Sequence, residues 1–453
     1  MEMTVRYPPM QSEEPARVPA TIDPDFKRRL AQALEDARAR TNWLLDRVDD
    51  ERLHAQPNKL MSPLVWDAGH VGVYEELWLV MNTTGSAAID EPRMHFYDAF
   101  DQPRAVRGDL PLMRRDEVKQ YRETVRRRAL DILDEVDLEG DEPLTREGYV
   151  YELVIQHENQ HDETILQALQ LIPGGYRPDL REPRPAPLVA PDRVTVPAGA
   201  YPVGSDLHEP YDNEHPRHTV RVEAFAIDRF PVTCGQYLAF IEGGGYQRRE
   251  PWSDEGWAWR EQHPEISGPA YWSLRDGEWT RDRFGHQVPL TLEEPVMHVC
   301  YHEAEAYCRW AGSRLPTEFE WEIAAAFDPA SGAQRRYPWG DQPPEVDHAN
   351  IDQLNFGPQP VGAYPAGASA IGCEQMLGDV YEWTSSEFRA YPGYRTFPYS
   401  QYSEVFFGDE YRVLRGASWA TRPHVARNTF RNWDYPIRRQ IFAGFRTATG
   451  DEA

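Results

Sequence analysis

Between Phe26 and Ile172 the apolar residues recur at three- and four-residue intervals, the repeat of amphipathic helices. Four long helices are expected, at Phe26–Asp46, Val65–Met81, Asp116–Val136 and Gly148–Ile172. In the last of these Val154, Ile155, Ile165, Leu166 and Leu169 share a stripe, and no Pro or Gly interrupts until Pro173-Gly174-Gly175. Four helices with one long connection between the second and third read as a bundle. From Arg181 to Pro191 there are four prolines in eleven residues, a density that continues neither a helix nor a central strand. Residues 181–193 are therefore expected to be a linker between a helical domain at 25–180 and a second domain at 194–453. Residues 1–24, Pro-rich and charged, are expected to form a flexible arm. Beyond Asp192 the pattern shortens. Val194-Thr-Val, Thr219-Val-Arg-Val and Ala226-Ile-Asp read as strands, and Thr233–Ile241, Tyr301–Ala311 and Thr317–Ala326 as short helices. The fold class is multidomain, α followed by α+β.

Composition narrows the function. With 453 residues, 40% hydrophobic and 12% aromatic, the chain can bury more than one full core. A net charge of −26 argues against nucleic acid or an anionic membrane as partner. No apolar run approaches the ~18 residues of a membrane span, and the first residues lack the apolar segment of an export signal. Four cysteines (Cys234, Cys300, Cys308, Cys373) are too few for a disulfide framework and form no C-x-x-C pair. A cytoplasmic location is expected.

The densest chemistry lies at His157-Glu158-Asn159-Gln160-His161. Two histidines four apart share one helix face and can reach one metal ion. Read as H-E-x-x-H, the run is a zinc-protease signature with Glu158 as base. Read as H-x-x-x-H-x-E, it ends on Glu163, which is either an acceptor for a ligand imidazole N–H or a solvated helix residue. The extended protease form fails, because Thr164 and Gln167 stand where Gly and His would be needed.

Met61-Ser-Pro-Leu-Val-Trp-Asp67, then His70, then the run His157–Glu163 resemble the DinB-like helical domain of the sulfoxide synthases of ergothioneine biosynthesis. Arg314-Leu-Pro-Thr-Glu-Phe-Glu-Trp321, Gly378-Asp-Val-Tyr-Glu-Trp383, Leu414-Arg-Gly-Ala-Ser-Trp419 and Gly444-Phe-Arg446 resemble the formylglycine-generating, sulfatase-modifying fold, a C-type-lectin-like α+β domain. The resemblance implies an iron(II)- and O2-dependent enzyme. Such an enzyme joins the sulfur of γ-glutamylcysteine or cysteine to C2 of the hercynine imidazole and oxidises that sulfur to a sulfoxide.

It also implies roles for residues. His70, His157 and His161 would be the Fe(II) ligands, with Trp66, His70 and Tyr74 on one stripe of the second helix. Three imidazoles also form a zinc set, so the ligands alone do not choose iron. Arg104 and Arg107 would hold the carboxylates of the thiol substrate, with Asp434 on its ammonium and Arg438 on a carboxylate. Gln160, Asn432 and Trp433 would line the hercynine pocket, where an aromatic face suits a trimethylammonium group. The proton donor would be a tyrosine, Tyr399 in preference to Tyr402, with Tyr97 a third candidate. A phenol of ordinary pKa is protonated at neutral pH and can donate.

Three other readings compete. A formylglycine-generating enzyme would carry cysteines near the end of the fold, and Phe430–Arg446 contains none. An ovothiol- or selenoneine-type sister synthase is the second; the zinc hydrolase using the His157–His161 run is the motif reading weighed above. A non-catalytic lectin-like binding module is the third.

Overall fold

Four helices build the N-terminal half: α1 (Phe26–Leu45), α2 (Leu64–Glu75), α3 (Arg115–Glu135) and α4 (Tyr149–Leu171). They match the expected segments to within a few residues at each end. The computed structural model describes residues 25–172, 176, 178, 181–208 and 211–450, so the arm expected at 1–24 lies outside the described residues. α2 is buried along its whole length, Asp67, His70 and Glu75 included. It runs on into a π-helical turn at Glu76–Met81. The long connection after it carries only short helical pieces, at Asn82–Thr84, Glu91–Met94, His95–Tyr97 and Arg104–Asp109. α1 packs on α4, and α2 packs on both α3 and α4.

One charged residue from each helix meets at the bundle centre. Arg38 of α1 donates to Glu75 of α2 (2.6 Å) and to Glu158 of α4 (2.7 Å). Arg126 of α3 donates to the same two carboxylates, at 2.5 Å to Glu75 and 3.2 Å to Glu158. A buried set of this kind adds little net stability when complete, but loss of one member costs about 3–5 kcal/mol because the remaining charge is stranded. It therefore fixes the rotation of α4, and with it the direction in which its histidines point.

Residues 181–192 carry neither helix nor strand. Arg184 lies against the second half, donating to Asp347 and to the Val346 carbonyl (both 2.6 Å). That half is built from small sheets. β1 (Arg193–Val196) pairs with β4 (Phe225–Asp228), and β2 (Gly199–Val203) with β3 (His218–Val222), all antiparallel. Strands β5 (Trp272–Arg275), β6 (Glu278–Arg283) and β7 (His286–Pro289) form a meander that the sequence pattern leaves as loop. The sheet nearest the site has the order β10 (Asn432–Asp434), β9 (Arg412–Gly416), β8 (Tyr381–Glu387), β11 (Ala443–Gly444). Helices Cys234–Glu242, Tyr301–Trp310 and Glu318–Ala326 fall where expected; Asp254–Gln262 is an additional one.

The two halves share their cores. One apolar cluster joins Trp78, Leu153 and Val154 to Tyr211, Tyr381 and Phe430. Another joins Val65, Trp66 and Leu166 to Trp419 and Phe442. Among the described residues no helix is long and apolar enough to cross a membrane.

Candidate metal centre

α2 and α4 face each other with His70 on one and His157 and His161 on the other. Ring nitrogens of all three lie within 4.8 Å of one another. The Nε2 atoms of His70 and His157 are 3.2 Å apart. Two nitrogens on a metal at about 2.1 Å, subtending 90–109°, would sit about 3.0–3.4 Å apart, so this pair already has ligand spacing. The widest pair has to draw in by about 1.5 Å to match it.

Two tautomers follow from the acceptors. His70 Nδ1 lies 2.7 Å from the Tyr97 carbonyl oxygen and His161 Nδ1 lies 3.0 Å from Asp67 Oδ1. Both partners only accept, so both Nδ1 atoms carry the proton and both Nε2 lone pairs are free to bind. Burial, then repulsion from His161, holds the pKa of His70 and His157 well below the ordinary imidazole value. They are neutral at physiological pH, as ligands must be. The donor set therefore fits a divalent transition metal.

Packing orients the rings. Trp66 stacks on His70 (centroids 4.8 Å, planes at 12°), and Tyr74 stacks on His157 (3.6 Å, 10°). Gly69 makes room for this: a Cβ there would lie 2.2 Å from the Tyr97 ring. Tyr97 can thus pack against α2 and deliver its carbonyl to His70.

The second half brings up tyrosines. Tyr399 meets Tyr74 hydroxyl to hydroxyl at 3.0 Å. Tyr402 stacks on Tyr211 (4.1 Å, 17°), and both hydroxyls point at Gln160 Oε1, from 3.4 and 2.7 Å. Trp433 lies edge-on to Tyr402 (5.8 Å), with Phe388 stacked on it at 4.1 Å. Asn432 precedes it on β10, and its side chain accepts from the Trp433 N–H. At the mouth Arg438 donates to Asp434 (3.0 Å) and to the Leu60 carbonyl, which ties the two halves together. Arg104 is solvent-exposed and lies within electrostatic reach of Arg438 and Asp434.

Comparison with known proteins places this arrangement. Residues 33–165 match the DinB superfamily, and residues 179–450 the sulfatase-modifying factor enzyme 1-like domain. A hercynine oxygenase of Mycolicibacterium smegmatis is 50% identical over 432 residues, spanning 92% of this chain and 98% of that protein. The chain belongs to the hercynine oxygenase family. A hercynine oxygenase of Mycobacterium tuberculosis is 49% identical over 426 residues, at the same coverage. A formylglycine-generating enzyme of Mycobacterium tuberculosis is 36% identical over 238 residues, 45% of this chain and 76% of that protein. This hercynine oxygenase family member is thus an oxidoreductase, with a DinB-like helical domain before a C-type-lectin-like one.

Several expected site residues stand elsewhere in this family member. Arg107 is buried and occupied: it donates to Ser62 (2.8 Å) and to the carbonyls of Gln102 and Ala99, and its guanidinium lies 3.5 Å over the Trp66 ring. It braces the indole that stacks on His70. The Tyr97 hydroxyl turns away from the histidines and accepts from the Met113 N–H (2.7 Å). Glu163 touches no ligand histidine and is not a solvated residue either; two positions after His161 it stands about 200° round the helix. It is buried, accepts from Thr421 (2.9 Å), and burial raises its pKa to about 7. Glu158 cannot serve as a protease base. Burial would raise its pKa, but Arg38 and Arg126 hold it below the ordinary carboxylate range within the central ion network. Sequence reasoning missed Asp67, Tyr211 and Asp212, and saw Tyr74 only as part of a stripe. Asp67, three residues before His70, was within reach of a search for carboxylates at helical spacing.

Proposed function

We propose that this oxidoreductase is an Fe(II)- and O2-dependent sulfoxide synthase of ergothioneine biosynthesis. It joins γ-glutamylcysteine, or cysteine, to C2 of the hercynine imidazole and yields hercynyl-γ-glutamylcysteine S-oxide from the former. Membership of the hercynine oxygenase family together with an intact three-imidazole cluster carries the reading. His70, His157 and His161 hold the metal, which when bound supplies dioxygen activation and open positions for thiolate and imidazole. Gln160, Asn432 and Trp433 line the hercynine side. Trp433 already has Phe388 on one face, so it offers the trimethylammonium group its remaining face or its edge. Arg104 and Arg438 take carboxylates of the thiol and Asp434 its ammonium. Arg107 acts only through Trp66.

Tyr399 is the proton donor. Its hydroxyl, carried by the second half, is bonded to that of Tyr74, whose ring stacks on His157. The active site is thus a cleft between the halves, and neither half completes it alone. Four free, buried thiols suit a reducing, cytoplasmic setting.

The test is one mass-spectrometric assay. Protein loaded with Fe(II) is mixed in air with hercynine and either γ-glutamylcysteine or cysteine. A product one oxygen heavier than the thioether conjugate is expected, and the faster thiol names the substrate. Absence of conjugate with both thiols, on folded and iron-loaded protein, would overturn the reading.

A further inference from the structure

Asp67 is a buried carboxylate beside the histidine cluster. It is 1% exposed, yet its Oδ2 has no hydrogen-bond partner among the described residues, and its Oδ1 receives the His161 Nδ1–H at 3.0 Å. A carboxylate buried with an unsatisfied oxygen is unfavourable unless positive charge lies close by. Arg104 and Arg107 feel its charge, but neither makes an ion pair with it. The remaining source is the histidine cluster. Three neutral imidazoles leave a divalent ion with its full double charge in a largely buried site, and Asp67 is the carboxylate placed to offset it through one imidazole.

We infer that Asp67 is a positioning residue of the metal centre: it holds His161 as the Nδ1–H tautomer, aims Nε2 at the ion and raises the basicity of that nitrogen. This rests on the metal reading proposed above. α2 then supplies all three ligands with their orientation. Trp66 stacks on His70, Asp67 holds His161 and Tyr74 stacks on His157, from helix positions i, i+1 and i+8. Trp-Asp-x-x-His-x-x-x-Tyr is a unit spaced to serve one ion. Glu163, a carboxylate on the ligand helix itself, has no part in it and accepts from Thr421.

The test uses the full chain, metal-free and anaerobic, titrated with Fe(II) against a competing chelator and with Co(II) as a spectroscopic probe. Asp67→Asn keeps the shape and a hydrogen-bond acceptor but removes the charge. It is expected to weaken metal binding about 10- to 100-fold and to shift the Co(II) bands. Glu163→Gln is expected to match wild type. Independently, nitrogen-15 NMR of wild-type protein is expected to show His161 as the Nδ1–H tautomer, a measurement that decides even if Asp67→Asn fails to fold. Wild-type affinity in folded Asp67→Asn, or the Nε2–H tautomer at His161, would overturn the inference. Wild-type protein that binds neither ion would overturn the metal reading itself.

Discussion

At the scale of single residues, the three candidate tyrosines separate by what their hydroxyls touch. Tyr399→Phe removes the group that meets Tyr74 and is expected to lower kcat by about 10²–10⁴-fold with little change in KM. Tyr402→Phe removes a contact to Gln160 and is expected to raise KM for hercynine instead. Tyr97→Phe leaves the His70 contact intact, because that contact is made by the backbone; only about 1 kcal/mol of stability should go with the Met113 bond. Steady-state kinetics and urea unfolding of the three variants check all of this. A separate pair of residues sets a pH dependence of folding. Burial lowers the pKa of His298 to about 3 and of His302 to about 4, so the folded state refuses protons that the unfolded state takes up below about 6.5. Their contribution to stability is therefore complete above pH 6.5 and falls as pH drops toward 4, by about 2 kcal/mol per histidine at pH 5. Buried Glu163, with its raised pKa, acts in the opposite direction over the same range, so the check is a difference: lowering the pH from 7.5 to 5 should cost His302→Gln less urea midpoint than it costs wild type. The ligand histidines were legible in sequence because spacing alone puts His157 and His161 on one face. Tyr74 was not, because its role depends on which way a side chain of a fully buried helix turns; for Asp67 only the spacing, three residues before His70, was there to be read. Glu163 misled because adjacency in sequence is not adjacency round a helix.

At the scale of elements, the segment carrying Tyr399 and Tyr402 has no regular structure of its own apart from the turn Glu404–Phe406. Asp212 holds it. One buried carboxylate receives the Tyr394 hydroxyl (2.8 Å), the Phe397 N–H (3.2 Å) and the Ser403 hydroxyl, so it grips the segment on both sides of the two tyrosines. Bonds to a charged acceptor contribute about 1.5–3 kcal/mol each. Asp212→Asn is expected to loosen the segment without unfolding the protein. Trypsin should cut faster after the exposed Arg395, and kcat should drop while metal affinity stays at the wild-type value. Unchanged proteolysis would remove Asp212 from this role. Helices of the first half were readable because a 3.6-residue repeat sustained over about twenty residues has no rival interpretation. Strands of the second half are two to seven residues long and held by side-chain networks. No period can develop over such lengths, so β5–β7 and the sheet bearing Asn432 and Trp433 passed as loop.

At the scale of the whole molecule, the expected boundary near the proline-rich segment divides the chain but not the core. Helix α4 shows why. Its Gln156 receives Arg427 (2.7 Å), its Gln160 receives Tyr211, its Glu163 receives Thr421, and its Gln170 bonds Asp282 and Phe284, all from the second half. Trp66 and Trp78, fully buried, sit in clusters completed by Trp419 and Tyr381. A helical half cut away at residue 172 would expose those indoles, and exposing one large aromatic alone costs about 1.5–3 kcal/mol. Such a fragment is expected to bind a hydrophobic dye and to show no turnover. The full chain should melt in a single transition, with the calorimetric and van't Hoff enthalpies equal, since two apolar clusters run through both halves. Two resolved transitions would mean that the interface is weaker than its shared clusters imply. Turnover by the helical half alone would mean that Tyr399, Asp434 and Arg438 are dispensable and that the active site is not the cleft.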